Sequence, residues 1–88
     1  GRAIAGKDIA VYKAIAAARS YCERSEIDAM ITPRTTQKAV ALHKLGWTVQ
    51  GIWDVVLKPY VPSEYVDDVV AKANEGYERS ASSSLFGR

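Results

Sequence analysis

Apolar residues recur at helical spacing along almost the whole chain, and nowhere does a sustained run of strict alternation mark out a sheet. Between Asp8 and about Arg24, Val11, Ile15, Ala18 and Cys22 make one stripe in an Ala-rich segment, with Lys13, Ser20 and Arg24 off it, which predicts a first helix. Asp8 suits its N-cap or first turn, where a carboxylate meets the positive end of the helix dipole. A polar break at Ser25-Glu26 leads into Ile27–Thr32, a connector or short strand, because Pro33 forces Thr32 to be extended. Thr32 or Thr35 then caps a second helix over about Thr36–Leu45, with Ala39, Leu42 and Leu45 on one face and Gly46 as a left-handed stop.

Thr48 reads as the N-cap of a third helix that buries Val49, Ile52, Trp53 and Val56, shows Gln50, Asp54 and Lys58 to the other side, and ends at Pro59. Gly51 inside it costs on the order of 1 kcal/mol relative to Ala, as a close approach of another backbone would explain. Pro62-Ser63 opens a fourth helix over about Glu64–Arg79, with Val66, Val69, Val70, Ala73 and Tyr77 inward and Asp68 set four residues before Lys72 outside. The expected fold is therefore all-α: a compact bundle of about four helices over residues 8–79, followed by a flexible Ser-rich tail over 80–88 in which Leu85 and Phe86 are candidate docking side chains. Gly1–Lys7, which lacks an initiator Met, reads as a linker or tag remnant, and the whole as an excised piece of a longer protein.

Composition narrows the chemistry. With 88 residues there is room for one thin core, and 48% hydrophobic with 25% charged residues excludes disorder. The net charge of +2 comes from interspersed acids and bases, so no strong single-sign field forms. Apolar stretches are short, which argues against a membrane span or a membrane partner, and a lone Cys22 permits no internal disulfide, which points to a cytoplasmic location.

Self-sufficient catalysis is absent from the pattern. Gly6-Lys7-Asp8 is not a phosphate loop, which needs two glycines four residues apart followed by Lys and a hydroxyl. His43, with no Cys, Asp or Ser at a diagnostic spacing, reads as an ordinary helix-surface histidine, and no metal site or triad is expected. Cys22 on its Ala-rich stripe is a small buried hydrophobe rather than a reactive thiol. The adjacent carboxylates Asp67-Asp68 point about 100 degrees apart on a helix and read as a solvated face. Trp53 belongs to the core stripe, while Trp47 either packs between helices or offers a face for stacking on bases. Arg34 stands apart: it follows a proline at the start of a helix, with its planar fork free for a phosphate unless Glu26 or Asp28 pairs with it.

The ordered segments Arg19-Ser20-Tyr21-Cys22, Ile31-Thr32-Pro33-Arg34 and Ala39-Val40-Ala41-Leu42-His43-Lys44-Leu45-Gly46-Trp47-Thr48 resemble the C-terminal helical lid of MoxR-like AAA+ ATPases over about residues 8–60. The resemblance implies that Arg34 holds the place of the sensor-2 arginine, which reaches from the lid to the terminal phosphates of the nucleotide and couples nucleotide state to lid angle. A guanidinium there stabilises charge on the transferred phosphoryl group. The Walker A and B segments and sensor 1 are absent, so hydrolysis, ATP and Mg2+ would belong to a core domain outside this chain, and the partners would be that core or neighbouring subunits.

A helix-turn-helix module is the alternative from a different class. Leu42, Leu45, Gly46, Ile52 and Val55 fit its core positions, Gln50 would read adenine in the major groove of duplex DNA, and Lys38, Lys44 and Lys58, with Arg34, would meet phosphates. Asp54 and the lack of an Arg on that helix weaken it. A helical protein-interaction domain using its tail or Trp47 is a third reading.

Overall fold

The computed structural model describes the backbone of residues 7–86 and the side chains of residues 8–80. Four α-helices follow one another: α1 (Lys7–Arg24), α2 (Pro33–Lys44), α3 (Val49–Val56) and α4 (Val66–Phe86). Two 3-10 turns, Lys58–Tyr60 and Ser63–Tyr65, lie between α3 and α4. Among the described residues there is no strand, and the Ile27–Thr32 segment is a connector. Of the expected linker or tag remnant Gly1–Lys7, Lys7 is the first residue of α1 and residues 1–6 lie outside the described residues, as do the last two residues of the tail and the side chains of Leu85 and Phe86.

Helix α1 is the central element, and Ala10, Val11, Ala14, Ile15, Ala18 and Cys22 are all buried. Helix α4 runs antiparallel along it, for Lys72 lies over the ring of Tyr21 while Gly76 meets Ala14 and Ala17. A Cβ on Gly76 would come within 3.0 Å of the Ala17 Cβ, 3.1 Å of the Ala14 Cα and 3.2 Å of the Lys13 carbonyl oxygen. The backbone approach expected at Gly51 is therefore found at Gly76; Gly51 instead faces the Trp47 ring and the Thr48 hydroxyl. Lys72 does not pair with Asp68; it reaches Glu75 at 3.8 Å besides the Tyr21 ring.

The end of α1 is built by Glu26, whose φ of 57° is left-handed. This lets the Ile27 N–H reach back to the Cys22 carbonyl at 2.8 Å, the six-to-one bond of a Schellman closure, and turns Ile27 into the core. A second such closure ends α2, where Gly46 has φ of 96° and Trp47 N–H bonds to Leu42 O at 3.2 Å. Helix α2 starts at Pro33, three residues before the expected Thr36, since a proline is compatible with the first helical position, where no amide bond is lost.

Thr48 caps α3 as expected, its hydroxyl accepting the Gly51 N–H at 3.1 Å. Ile52, Trp53 and Val56 enter the core, and the Trp53 indole N–H donates to Asn74 Oδ1 on α4 at 2.7 Å. The α-helix stops at Val56 rather than continuing to Lys58; Leu57 turns inward and Pro59 sits in the 3-10 turn. Likewise Glu64 lies in a 3-10 turn, and α4 begins at Val66 and extends past Arg79 to Phe86. Val69 and Ala73 are fully buried, with Val66, Val70 and Tyr77 packed partly against the same cluster. No described helix is long and apolar enough to cross a membrane.

Candidate functional site

Arg34 occupies the second position of α2, and local chemistry fixes it there. Thr32 takes the extended N-cap geometry that the following proline demands, and its N–H donates to the Thr35 hydroxyl at 3.1 Å. The Thr35 and Thr36 amides bond to the Thr32 carbonyl at 2.9 and 3.4 Å, and Pro33 has no amide to satisfy. Within the described residues this leaves the Arg34 N–H as the first-turn donor with no backbone partner. The Arg34 side chain is exposed and enters no hydrogen bond or ion pair among the described residues. Glu26 and Asp28, the acids close enough in sequence to neutralise it, are themselves exposed and unpaired there. The result is an open guanidinium at the positive end of a helix that carries no acidic residue, a combination suited to an oxyanion.

The connector just before Arg34 is tied to the 3-10 turn after α3 by one backbone bond, from the Met30 N–H to the Tyr60 carbonyl at 3.0 Å. Met30 and Tyr60 are both exposed, while Ile27 and Ile31 are sunk into the core on either side. The connector that leads into α2 is thus anchored by Ile27, by one backbone bond and by Ile31, two residues before the helix begins.

The residues proposed for a DNA contact do not converge. Lys38 and Lys44 are exposed on α2 without an ion pair among the described residues, and Lys44 lines the groove between α1 and α2. Lys58, in the 3-10 turn after α3, is held by Asp54 of α3 at 2.8 Å. The Lys58 hydrogen bond, reinforced by its charge and by Gln50, holds Asp54 below the ordinary carboxylate range. An ionised acid thus sits in the middle of the face that would enter a groove.

His43 corrects the surface-histidine expectation. It is largely buried, its Nδ1 lies 2.9 Å from Asp8 Oδ1, and its ring meets Tyr77 edge-on with centroids 6.3 Å apart, so it joins α1, α2 and α4. Cys22 is buried as expected, and burial, with Glu23 beside it, pushes its thiol up. Trp53 is wholly buried and Trp47 is partly exposed over Gly51. Among the described residues no cluster of side chains is arranged to hold a metal.

One feature went unread in the sequence: a groove of about 1090 Å³ between α1 and α2, lined by Tyr12, Ala16, Pro33 and Val40 among others. Its signal was present, for Ile9 and Tyr12 are apolar residues three apart that fall off the Val11–Ile15–Ala18–Cys22 stripe. Comparison with known proteins finds no matching family, no matching curated protein and no matching solved structure.

Proposed function

We propose that this domain is the C-terminal lid of an AAA+ ATPase of the MoxR-like kind, with Arg34 directed at the terminal phosphates of ATP held by a separate core. The observation that carries this reading is the unpaired, exposed Arg34 guanidinium on the proline-led first turn of α2. Such a group is pre-set toward something outside its own domain, and its fork geometry matches phosphate oxygens. The lid supplies no nucleophile and no metal ligand; its part is charge stabilisation, which is worth most where water is excluded between two domains.

The test is Arg34→Ala in the ATPase that contains this domain. Hydrolysis is expected to fall by about tenfold or more, with Arg34→Lys recovering only part of it because an ammonium lacks the planar fork. The isolated domain should keep its helical circular dichroism and its melting temperature, since the side chain is exposed and enters no hydrogen bond or ion pair among the described residues. Wild-type turnover in the Arg34→Ala enzyme overturns the assignment.

A second reading, the helix-turn-helix DNA binder, draws on the unpaired Lys38 and Lys44, which are free to meet phosphates. It requires duplex affinity at low salt that falls with a logarithmic slope of nearly one per phosphate contact. Lack of such binding removes it.

A further inference from the structure

We infer that the groove between α1 and α2 is a docking site for an acidic amphipathic helix of a partner protein. Its floor is apolar and shaped by small residues: Ala16 and Ala41 leave the space, and Tyr12, Ile9 and Val40 flank it. Tyr12 is 61% and Ile9 42% exposed, a large apolar area to leave in water on a domain this small. The lining positions run from Asp8 to Glu23 on α1 and from Pro33 to Lys44 on α2. At 1.5 Å per residue these spans are about 22 and 16 Å, the length of three to four turns of a third helix laid alongside.

Charge selects the occupant. Both acids in the groove already have partners within the domain: Asp8 lies against His43 at 2.9 Å, and Glu23 receives the Arg19 Nε–H at 3.3 Å. Lys13 and Lys44, on opposite walls, enter no ion pair among the described residues, and α2 brings no acid of its own. An apolar floor between unneutralised ammonium groups is complementary to a helix with apolar anchors at positions i, i+3, i+4 and i+7 and Glu or Asp on its flanks. The site is independent of the Arg34 reading: neither its floor nor its rim includes that residue.

The experiment uses the 88-residue chain and a fluorescein-labelled 16-residue helical peptide with Leu anchors at that spacing and Glu on both flanks. A second peptide has every Glu replaced by Lys, and a 20-base-pair duplex serves as a non-protein polyanion. The acidic peptide is expected to bind at least about tenfold tighter than the basic one, with affinity falling as salt rises. Lys13→Glu with Lys44→Glu should reverse the preference, and Tyr12→Ser should weaken both the binding and its salt-resistant part. These substitutions are at exposed positions and leave the core intact, which circular dichroism checks. Equal affinity for the two peptides, acidic-peptide affinity unchanged in the Tyr12→Ser or Lys-to-Glu variants, or duplex binding through the same lysines that excludes the peptide overturns the inference.

Discussion

Two glycines inside helices of this domain, Gly51 in α3 and Gly76 in α4, behave differently, and the difference is measurable one side chain at a time. Gly76 lies under the backbone of α1, so its replacement forces rigid atoms apart. Gly76→Ala should lower stability by about 1–2 kcal/mol even after the helix-propensity gain of roughly 1 kcal/mol, read from the chemical-denaturation midpoint. Gly51 faces only the edge of Trp47 and the Thr48 hydroxyl at 3.3–3.4 Å, so Gly51→Ala should be nearly neutral or stabilising. The reverse order of the two variants would show that α1 and α4 are not packed as described. An isolated glycine inside a helix is the same sequence signal at Gly51 and at Gly76, and only the packing of α4 against α1 tells the two apart. The His43–Asp8 contact was invisible for a related reason: the two residues are 35 positions apart, and only tertiary packing brings them together.

Helix termini in this chain are set by backbone chemistry that is partly legible in advance. Gly46 and Thr48 are legible from the residues alone because left-handed stops and hydroxyl caps have narrow residue preferences. Of the two caps the sequence offers for α2, Thr32 and Thr35, it is Thr32 that serves, because Pro33 can begin a helix and Thr32 is extended, as both the proline and the cap position require. The close of α1 went unread because Glu26 is not a residue that favours positive φ. That misfit yields a prediction: Glu26→Gly should raise stability by about 0.5–1 kcal/mol, the relief of the Cβ clash exceeding the added freedom of the unfolded chain. A lower melting temperature for Glu26→Gly would mean that the exposed Glu26 side chain contributes something its position does not reveal. At this scale the candidate site was largely legible, since Arg34 stands out by following a proline, whereas the groove needed two helices to be placed side by side.

Taken whole, the domain has a radius of gyration of 12.5 Å, close to the roughly 12 Å expected for a folded chain of its length. Its core is one cluster shared by α1, α3, α4, the connector, Leu57 and Val61 of the link between α3 and α4, and a single buried residue of α2, Ala39. The apolar stripes foretold that core because Ala, Val and Ile at helical spacing leave few alternatives. They could not foretell that α2 would contribute so little to it. Cys22 offers a reporter for the integrity of the whole. Its thiol is buried and harder to ionise than a free one, so a thiol reagent should label it only through global opening, at a rate that rises with denaturant in step with unfolding. Because the folded form holds the proton to higher pH than the unfolded form, this group lowers stability as pH rises beyond the ordinary thiol range. Fast labelling of the native domain at neutral pH would contradict the burial.

The bond from the Met30 amide to the Tyr60 carbonyl has a mechanical consequence. It is a guy-rope from the root of α2 to the bend after α3, and it bridges two stretches that have no other main-chain tie. The bend after α3 and the root of α2 are therefore held at a fixed spacing by main-chain chemistry that does not depend on which side chains stand at positions 30 and 60.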